Sequence, residues 1–230
     1  MKIIWMGHGS FRIEIADQVL LIDPWVNGNP MMQGQDVEAA IGGATQILVT
    51  HGHFDHTQDI VEVSERTGAP VTAMYELAQY LFSQGAKEGH AFNKGGTLTF
   101  GEVQVNMVPA SHSSSVVVDD RPVYMGAEIG YIIRGEGKTI YFSGDTTVMA
   151  DMGWIAEYYK PEIGILSAGG YYTMDMELAA FAAKTYFDFK TVIPCHYRTF
   201  PALEQSAEKL AAGLPGVDVI EPEVLQAIDL

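Results

Sequence analysis

The sequence predicts an α+β fold: sheets packed face to face, with helices outside. Three observations point to it. Short strand-like runs come in hairpin-spaced pairs, apolar helical stretches are interleaved with them, and no linker or low-complexity tract divides the 230 residues. We read a single domain over residues 1–230. A 47% hydrophobic composition is enough to bury a sizeable core.

The elements follow in order. Strand-like runs open the chain at Lys2 to Met6, Ser10 to Ile15 and Val19 to Ile22, with a turn at Ala16-Asp17-Gln18. Their short spacing suits an antiparallel or mixed sheet rather than a dinucleotide-binding start. Met31 to Gly43 is acidic and reads as a loop that covers something. A β-branched run, Ile47-Leu48-Val49-Thr50, makes the next strand. The stretch from Thr57 to Thr67, with early acid, Arg66 near its end, then Gly68 and Pro70, carries helix start and stop signals. A strand at Val71 to Met74 and a helix at Glu76 to Ser83 complete the first half; Leu77, Ala78, Leu81 and Phe82 share one face of that helix.

The second half repeats this order. Thr97 to Phe100 and Val103 to Val108 form a hairpin around Gly101-Glu102. Glu128 to Arg134 and Lys138 to Ser143 form another around Gly135-Glu136-Gly137. Then come a helix at Asp151 to Tyr159, a strand at Ile163 to Leu166, a helix at Met176 to Phe187, and a strand at Thr191 to Pro194. A last helix near Ala202 to Ala212 precedes strands near Val217 to Ile220 and Val224 to Ile228.

Charge and composition exclude several function classes. The formal charge is −16 and the pI about 4.6. Such a field repels polyanions, so no nucleic-acid partner is expected. It can still collect divalent cations. No run approaches the roughly 18 apolar residues that span a bilayer, so no membrane partner is expected either. The N-terminus shows no secretory signal, and the only cysteine is Cys195, so a cytoplasmic location is the simplest fit.

The most informative feature is His51-Gly52-His53-Phe54-Asp55-His56. Three imidazoles and a carboxylate, the ligand types of zinc, manganese and iron, fall within six residues at a strand end. One histidine in a turn would be bland; this density is not. Further candidates close other predicted strands: His112 after Met107-Val108-Pro109, Asp145 after Tyr141-Phe142-Ser143-Gly144, and His196 after Pro194-Cys195. Together they fit one sheet edge bearing a shared metal site.

These residues give the chain its resemblance to the metallo-β-lactamase superfamily, and within it to the UPF0173 metal-dependent hydrolases. The markers are Asp23 in Leu21-Ile22-Asp23-Pro24, the His-x-His-x-Asp-His motif, His112, Asp145 in Ser143-Gly144-Asp145-Thr146, and His196 in Pro194-Cys195-His196-Tyr197-Arg198. The resemblance covers essentially the whole chain and implies a four-layer αββα sandwich with the site at one edge. It implies that His51, His53 and His112 hold one metal, that Asp55, His56 and His196 hold a second, that Asp145 bridges them, and that Asp23 braces the motif loop from behind. It further implies two divalent ions, zinc first, with manganese, iron or nickel also compatible. Such ions about 3.5–4 Å apart can share a water and lower its pKa toward about 7. The expected reaction is hydrolysis of an ester, lactone or phosphodiester bond in a small, even anionic, molecule. Three alternatives stay open: an RNA-processing nuclease of the same fold, a di-iron redox protein, and a non-catalytic metal-binding or scaffold protein. Homo-oligomers are common in the fold.

Other residues carry weaker signals. Asp55 can orient the nucleophile and take its proton. His8, in Gly7-His8-Gly9-Ser10, is either a catalytic donor or shuttle in the cleft or a histidine that ties a turn. Arg198 can clamp an anionic substrate or pair with one of the many acids. Tyr171 and Tyr197 can donate to an oxyanion or simply pack. Trp25, Met31 and Met32 line a loop over the cleft, fill an interface or join the core. Ser113 to Ser115 reads as a small polar loop positioning His112, His90 as plain loop, and Cys195 as core. Gly95-Gly96 and Gly169-Gly170 match no phosphate-binding fingerprint and let backbone approach the site.

Overall fold

The computed structural model describes residues 1–230. The chain opens as an antiparallel meander of β1 (Lys2–Trp5), β2 (Phe11–Ile15) and β3 (Gln18–Ile22). Period-two burial drives it: Phe11, Ile13 and Ile15 are buried, whereas Arg12 and Glu14 between them are partly exposed. The chain then switches to parallel crossovers. Helix α1 (Val37–Ile41) precedes β4 (Gln46–Leu48); α2 (Phe54–Thr57) and α3 (Ile60–Thr67) precede β5 (Val71–Met74); α4 (Tyr75–Ser83) precedes the edge strand β6 (Glu88–Phe92). Asp36 caps α1 by accepting from the Ala39 amide at 3.0 Å.

The second sheet starts with the hairpin β7 (Thr97–Phe100) and β8 (Val103–Pro109). A separate ribbon, β9 (Ser115–Val118) and β10 (Arg121–Tyr124), stands outside both sheets. Then follow β11 (Ile129–Gly135), β12 (Lys138–Phe142), α5 (Asp151–Tyr159), β13 (Ile163–Ser167), α6 (Met176–Tyr186), β14 (Thr191–Cys195), α7 (Glu208–Gly213) and β15 (Asp218–Val219). The last strand, β16 (Ala227–Asp229), returns to pair with β1. The two seven-stranded sheets run β16-β1-β2-β3-β4-β5-β6 and β15-β14-β13-β12-β11-β8-β7.

Burial defines four layers. Ile3, Phe11, Ile13, Leu20 and Leu48 of the first sheet share one core with Val105, Ile133 and Ile165 of the second. That core continues through the second sheet to Met152 and Ile155 of α5 and Ala179 and Ala183 of α6. A second core, with Leu21, Ile47 and Val71, covers the other face of the first sheet with Ile41, Val63, Leu77 and Leu81 from α1, α3 and α4. The αββα order follows.

Strand direction places the functional edge. β1, β3 and β4 run the same way in the first sheet, and β8, β12 and β14 run the same way in the second. The residues just beyond them are His8, Asp23, His51, His112, Asp145 and His196. Six separate stretches of chain therefore deliver a ligand candidate to one rim.

Several sequence expectations needed correction. The segment from Met31 to Gly43 holds a 3₁₀ turn at Pro30–Met32 and helix α1, because Asn29 and Asp36 supply N-caps. His90 lies in edge strand β6 rather than a loop, held by parallel pairing with β5. The β9–β10 ribbon was not anticipated; Asp119 and Asp120 both take positive φ (49° and 60°) in its two-residue turn. The final helix is shorter than expected, and the last strand begins at Ala227.

One side chain ties the sheets beside the metal-ligand motif. The buried Tyr131 hydroxyl on β11 donates to the Val49 carbonyl beyond β4 at 2.8 Å. Tyr131→Phe is expected to lower stability by about 1–2 kcal/mol, since a buried carbonyl loses its partner; the denaturant midpoint measures this.

Candidate metal centre

The motif loop is held before it holds anything. Asp23 is fully buried at the end of β3. Its Oδ1 accepts from the Thr50 amide at 2.7 Å, and its Oδ2 from the Thr50 hydroxyl at 2.6 Å. The same Oδ2 lies 2.7 Å from His56 Nδ1. A carboxylate accepts, so Nδ1 carries a proton and Nε2 is the nitrogen that faces the centre. Burial pushes the Asp23 carboxyl up, opposed by His56 and Thr50.

Two ligand triplets converge there. Ring nitrogens of His51, His53 and His112 lie within 4.8 Å of one another, and a second set joins Asp55, His56, His196 and His8. Asp145 stands between them. Its Oδ2 is 3.0 Å from His196 Nε2 and 3.5 Å from His56 Nε2, yet also 3.7 Å from His112 Nε2 and 3.9 Å from His51 Nε2. Gly144 makes this placement available: at φ 59° a β-carbon would strike the Ile129 carbonyl. Likewise, a β-carbon on Gly169 would strike the His196 carbonyl.

The donor set fits divalent cations. Six imidazole or carboxylate ligands plus a shared carboxylate suit zinc and its neighbours, and no thiolate intrudes. His56 Nε2 is buried with no well-formed hydrogen bond and faces Asp55 Oδ2 at 3.2 Å and Asp145 Oδ2 at 3.5 Å, the position a ligand nitrogen takes around a cation. Cys195 belongs to the inner core, and burial pushes its thiol well above the usual range.

Charges in the cluster are strongly coupled. Burial disfavours a charged His56, but Asp55, Asp145 and Asp23 overcome it and hold the imidazole well above its ordinary pKa. His196 is raised in the same way, against burial and chiefly by Asp145, to about 9. Burial opposes ionisation of Asp55 and Asp145, yet the charged imidazoles hold both well below the usual carboxylate range. His51, His53 and His112 are pushed down, by burial first and by neighbouring imidazolium charge after it. Two protons on His56 and His196 thus balance two buried carboxylates, and an entering cation must displace them.

His8 is anchored rather than free. Its Nε2 lies 2.8 Å from Asp55 Oδ2 and its Nδ1 2.8 Å from the Thr199 hydroxyl. Asp55 can only accept, so Nε2 carries the proton and Nδ1 accepts from Thr199. Burial, then the His196 charge, push His8 down to about 4, so it is neutral near pH 7. Trp25 packs beside it, with ring centres 5.5 Å apart.

The predicted ligands, Asp23 and His8 are all brought together. The three substrate candidates do not line the cavity at the centre. Arg198 Nη1 is 3.6 Å from both Glu221 and Glu223, and its guanidinium sits 5.8 Å from the Trp5 ring centre. Tyr197 is buried and stacks on Trp5 at 5.4 Å. Tyr171 is 71% exposed, and Tyr172 rather than Tyr171 lines the cavity at the centre. Sequence reasoning missed Thr50, Thr199 and Tyr172; only Thr50, a short polar residue just before the motif, carried a signal.

The β-lactamase superfamily domain model matches residues 18–215, and UPF0173 metal-dependent hydrolases match end to end. The chain belongs to this family. It is 60% identical to the UPF0173 metal-dependent hydrolase of Dinoroseobacter shibae and 58% identical to that of Cereibacter sphaeroides, each over 100% of both chains. Among solved structures it is similar to Igni18, a metallo hydrolase from Ignicoccus hospitalis, at 32% identity and TM-score 0.82, covering 100% of this chain and 98% of that one. The fold is therefore that of the metallo-β-lactamases.

Two expectations follow. Asp23→Asn is expected to weaken metal affinity by about 10–100-fold, because His56 loses the partner that orients it; competition with a chelator measures this. The raised pKa values of His56 and His196 stabilise the metal-stripped fold, fully below the ordinary histidine value of 6.5. That stabilisation is lost as pH rises toward and through about 9, at about 1.4 kcal/mol per pH unit for each proton held. Near pH 6.5 the depressed His8, His51, His53 and His112 work in the opposite direction, so the fall is expected once the unfolded histidines are neutral: denaturation of metal-stripped protein should show stability falling from about pH 7.5 toward about 9.

Proposed function

We propose that the protein is a metal-dependent hydrolase of small molecules that cuts an ester, lactone or phosphodiester bond with water. The carrying observation is Asp145 Oδ2, which lies within 3.9 Å of imidazoles from both triplets. His51, His53 and His112 would hold one divalent cation and Asp55, His56 and His196 the other, with Asp145 shared. Zinc is the first candidate, with manganese, iron or nickel compatible with the same donors. Such a pair supplies Lewis acidity, making water nucleophilic near neutral pH and stabilising charge on the reacting oxygen.

The chain's own groups do the positioning. His8 fixes Asp55 through its Nε2–H, and Thr199 fixes His8. Asp55, fixed by this hydrogen bond, would serve as an acceptor that orients the attacking water. The balance is simple. Water adds at carbon or phosphorus, the bond to the leaving oxygen breaks, and that oxygen takes a proton. The charge of −16 weighs against a nuclease, and His53 beside His112, with ring centres 5.0 Å apart, supports a three-imidazole set over a di-iron redox site.

Metal-loaded protein is expected to cleave at least one member of a panel of aryl esters, lactones and bis(p-nitrophenyl) phosphate. His53→Ala should lower kcat/KM by more than about 100-fold while the fold persists. Absence of metal-dependent turnover across the panel would overturn the reading.

A further inference from the structure

The geometry points to a substrate class: acyl compounds, esters or lactones, whose acyl part is an uncharged hydrocarbon group seated in the cavity beside the metal centre. This deepens the hydrolase reading and rests on it for the chemistry, in which water adds at the acyl carbon and the acyl C–O bond breaks, giving a carboxylic acid and an alcohol from an ester or a single hydroxy acid from a lactone.

The cavity is about 890 Å³, a size that accommodates a small organic ligand. The metal centre occupies part of its wall. Its apolar part includes Val61 of α3, Leu81 of α4, Val116 and Val117 of the β9–β10 ribbon, and the rings of Phe54 and Phe200. The polar groups of this wall are neutral, such as the amides of Gln58 and Gln84 and the hydroxyl of Ser115. No lysine or arginine lines the cavity, and its only carboxylates are Asp55 and Asp145 of the metal centre.

Chemistry then selects the ligand. A hydrocarbon group gains from leaving water against this wall. A charged group would be desolvated with no countercharge to meet it. Anions are further disfavoured by the net charge of −16. Arg198, the cation nearest the ligand His196 in sequence, is engaged by Glu221 and Glu223. Small anionic substrates, an expectation from sequence, therefore find no recognition beyond the metals.

The test is a series of p-nitrophenyl esters, acetate to octanoate, with metal-loaded protein. The value of kcat/KM is expected to rise about three- to fourfold per methylene until the wall is covered. The p-nitrophenyl monoester of octanedioic acid, of equal length but with a terminal carboxylate, should fall at least about tenfold below the octanoate. Val117 is 70% exposed, so Val117→Asp keeps the fold; it should cut the octanoate-to-acetate ratio at least about tenfold. A flat chain-length profile, or preference for the carboxylate-tailed ester, overturns the substrate class and leaves hydrolysis standing.

Calorimetry separates the two claims. Octanamide is expected to bind more tightly than the monoamide of octanedioic acid, and Val117→Asp should weaken it. Binding with this selectivity, but no turnover of any ester, overturns hydrolysis and supports the apolar site. Equal or absent binding of the two amides overturns the site.

Discussion

Everything at the functional rim depends on the fully buried Asp23. It receives the Thr50 amide, the Thr50 hydroxyl and the His56 imidazole. Its backbone is tied as tightly: its amide donates to the Leu48 carbonyl at 3.0 Å, and its carbonyl accepts from the Ser10 hydroxyl at 2.6 Å. One residue thus joins β2, β3 and β4 to the motif loop and decides which nitrogen of His56 faces the centre. Such a group must be satisfied fully or not be buried at all, because an unpaired carboxylate in the core is very costly.

The rim also carries backbone strain. His8, Asp23, His196 and Arg198 all hold positive φ, between 47° and 64°, without being glycine. Each costs of order 1–3 kcal/mol. The strain turns the chain sharply where β1, β3 and β14 end, so that side chains project inward instead of continuing along the strands. Surrounding bonds hold these turns in place; the His8 carbonyl, for example, accepts from the Trp5 indole at 2.8 Å and the His196 amide at 2.9 Å. Hydrogen bonding and packing from two sheets sustain a geometry that local preference would not choose.

Much of this was legible in the sequence. The ligands were found because they are rare residue types at the ends of strongly periodic or β-branched runs, and direction within each sheet then brings those ends together. The β9–β10 ribbon escaped notice because its strands are exposed and its turn uses two aspartates where glycine or asparagine is the usual marker. Helix α1 was hidden by its five-residue length. Arg198 illustrates a deeper limit. Its sequence neighbourhood placed it beside His196, but a left-handed backbone sends its side chain toward the C-terminal segment. Proximity in sequence carries no direction once φ changes sign. The cavity wall was equally illegible, since Val61, Leu81 and Val116 come from three elements and read individually as core.

The proposed hydrolysis depends on where two cations sit. Anomalous diffraction from crystals of the zinc-loaded protein, collected at the zinc edge, tests it most directly. Two peaks per chain are expected, one against His51, His53 and His112 and one against Asp55, His56 and His196, with Asp145 touching both. A single peak, or peaks away from these side chains, would contradict it.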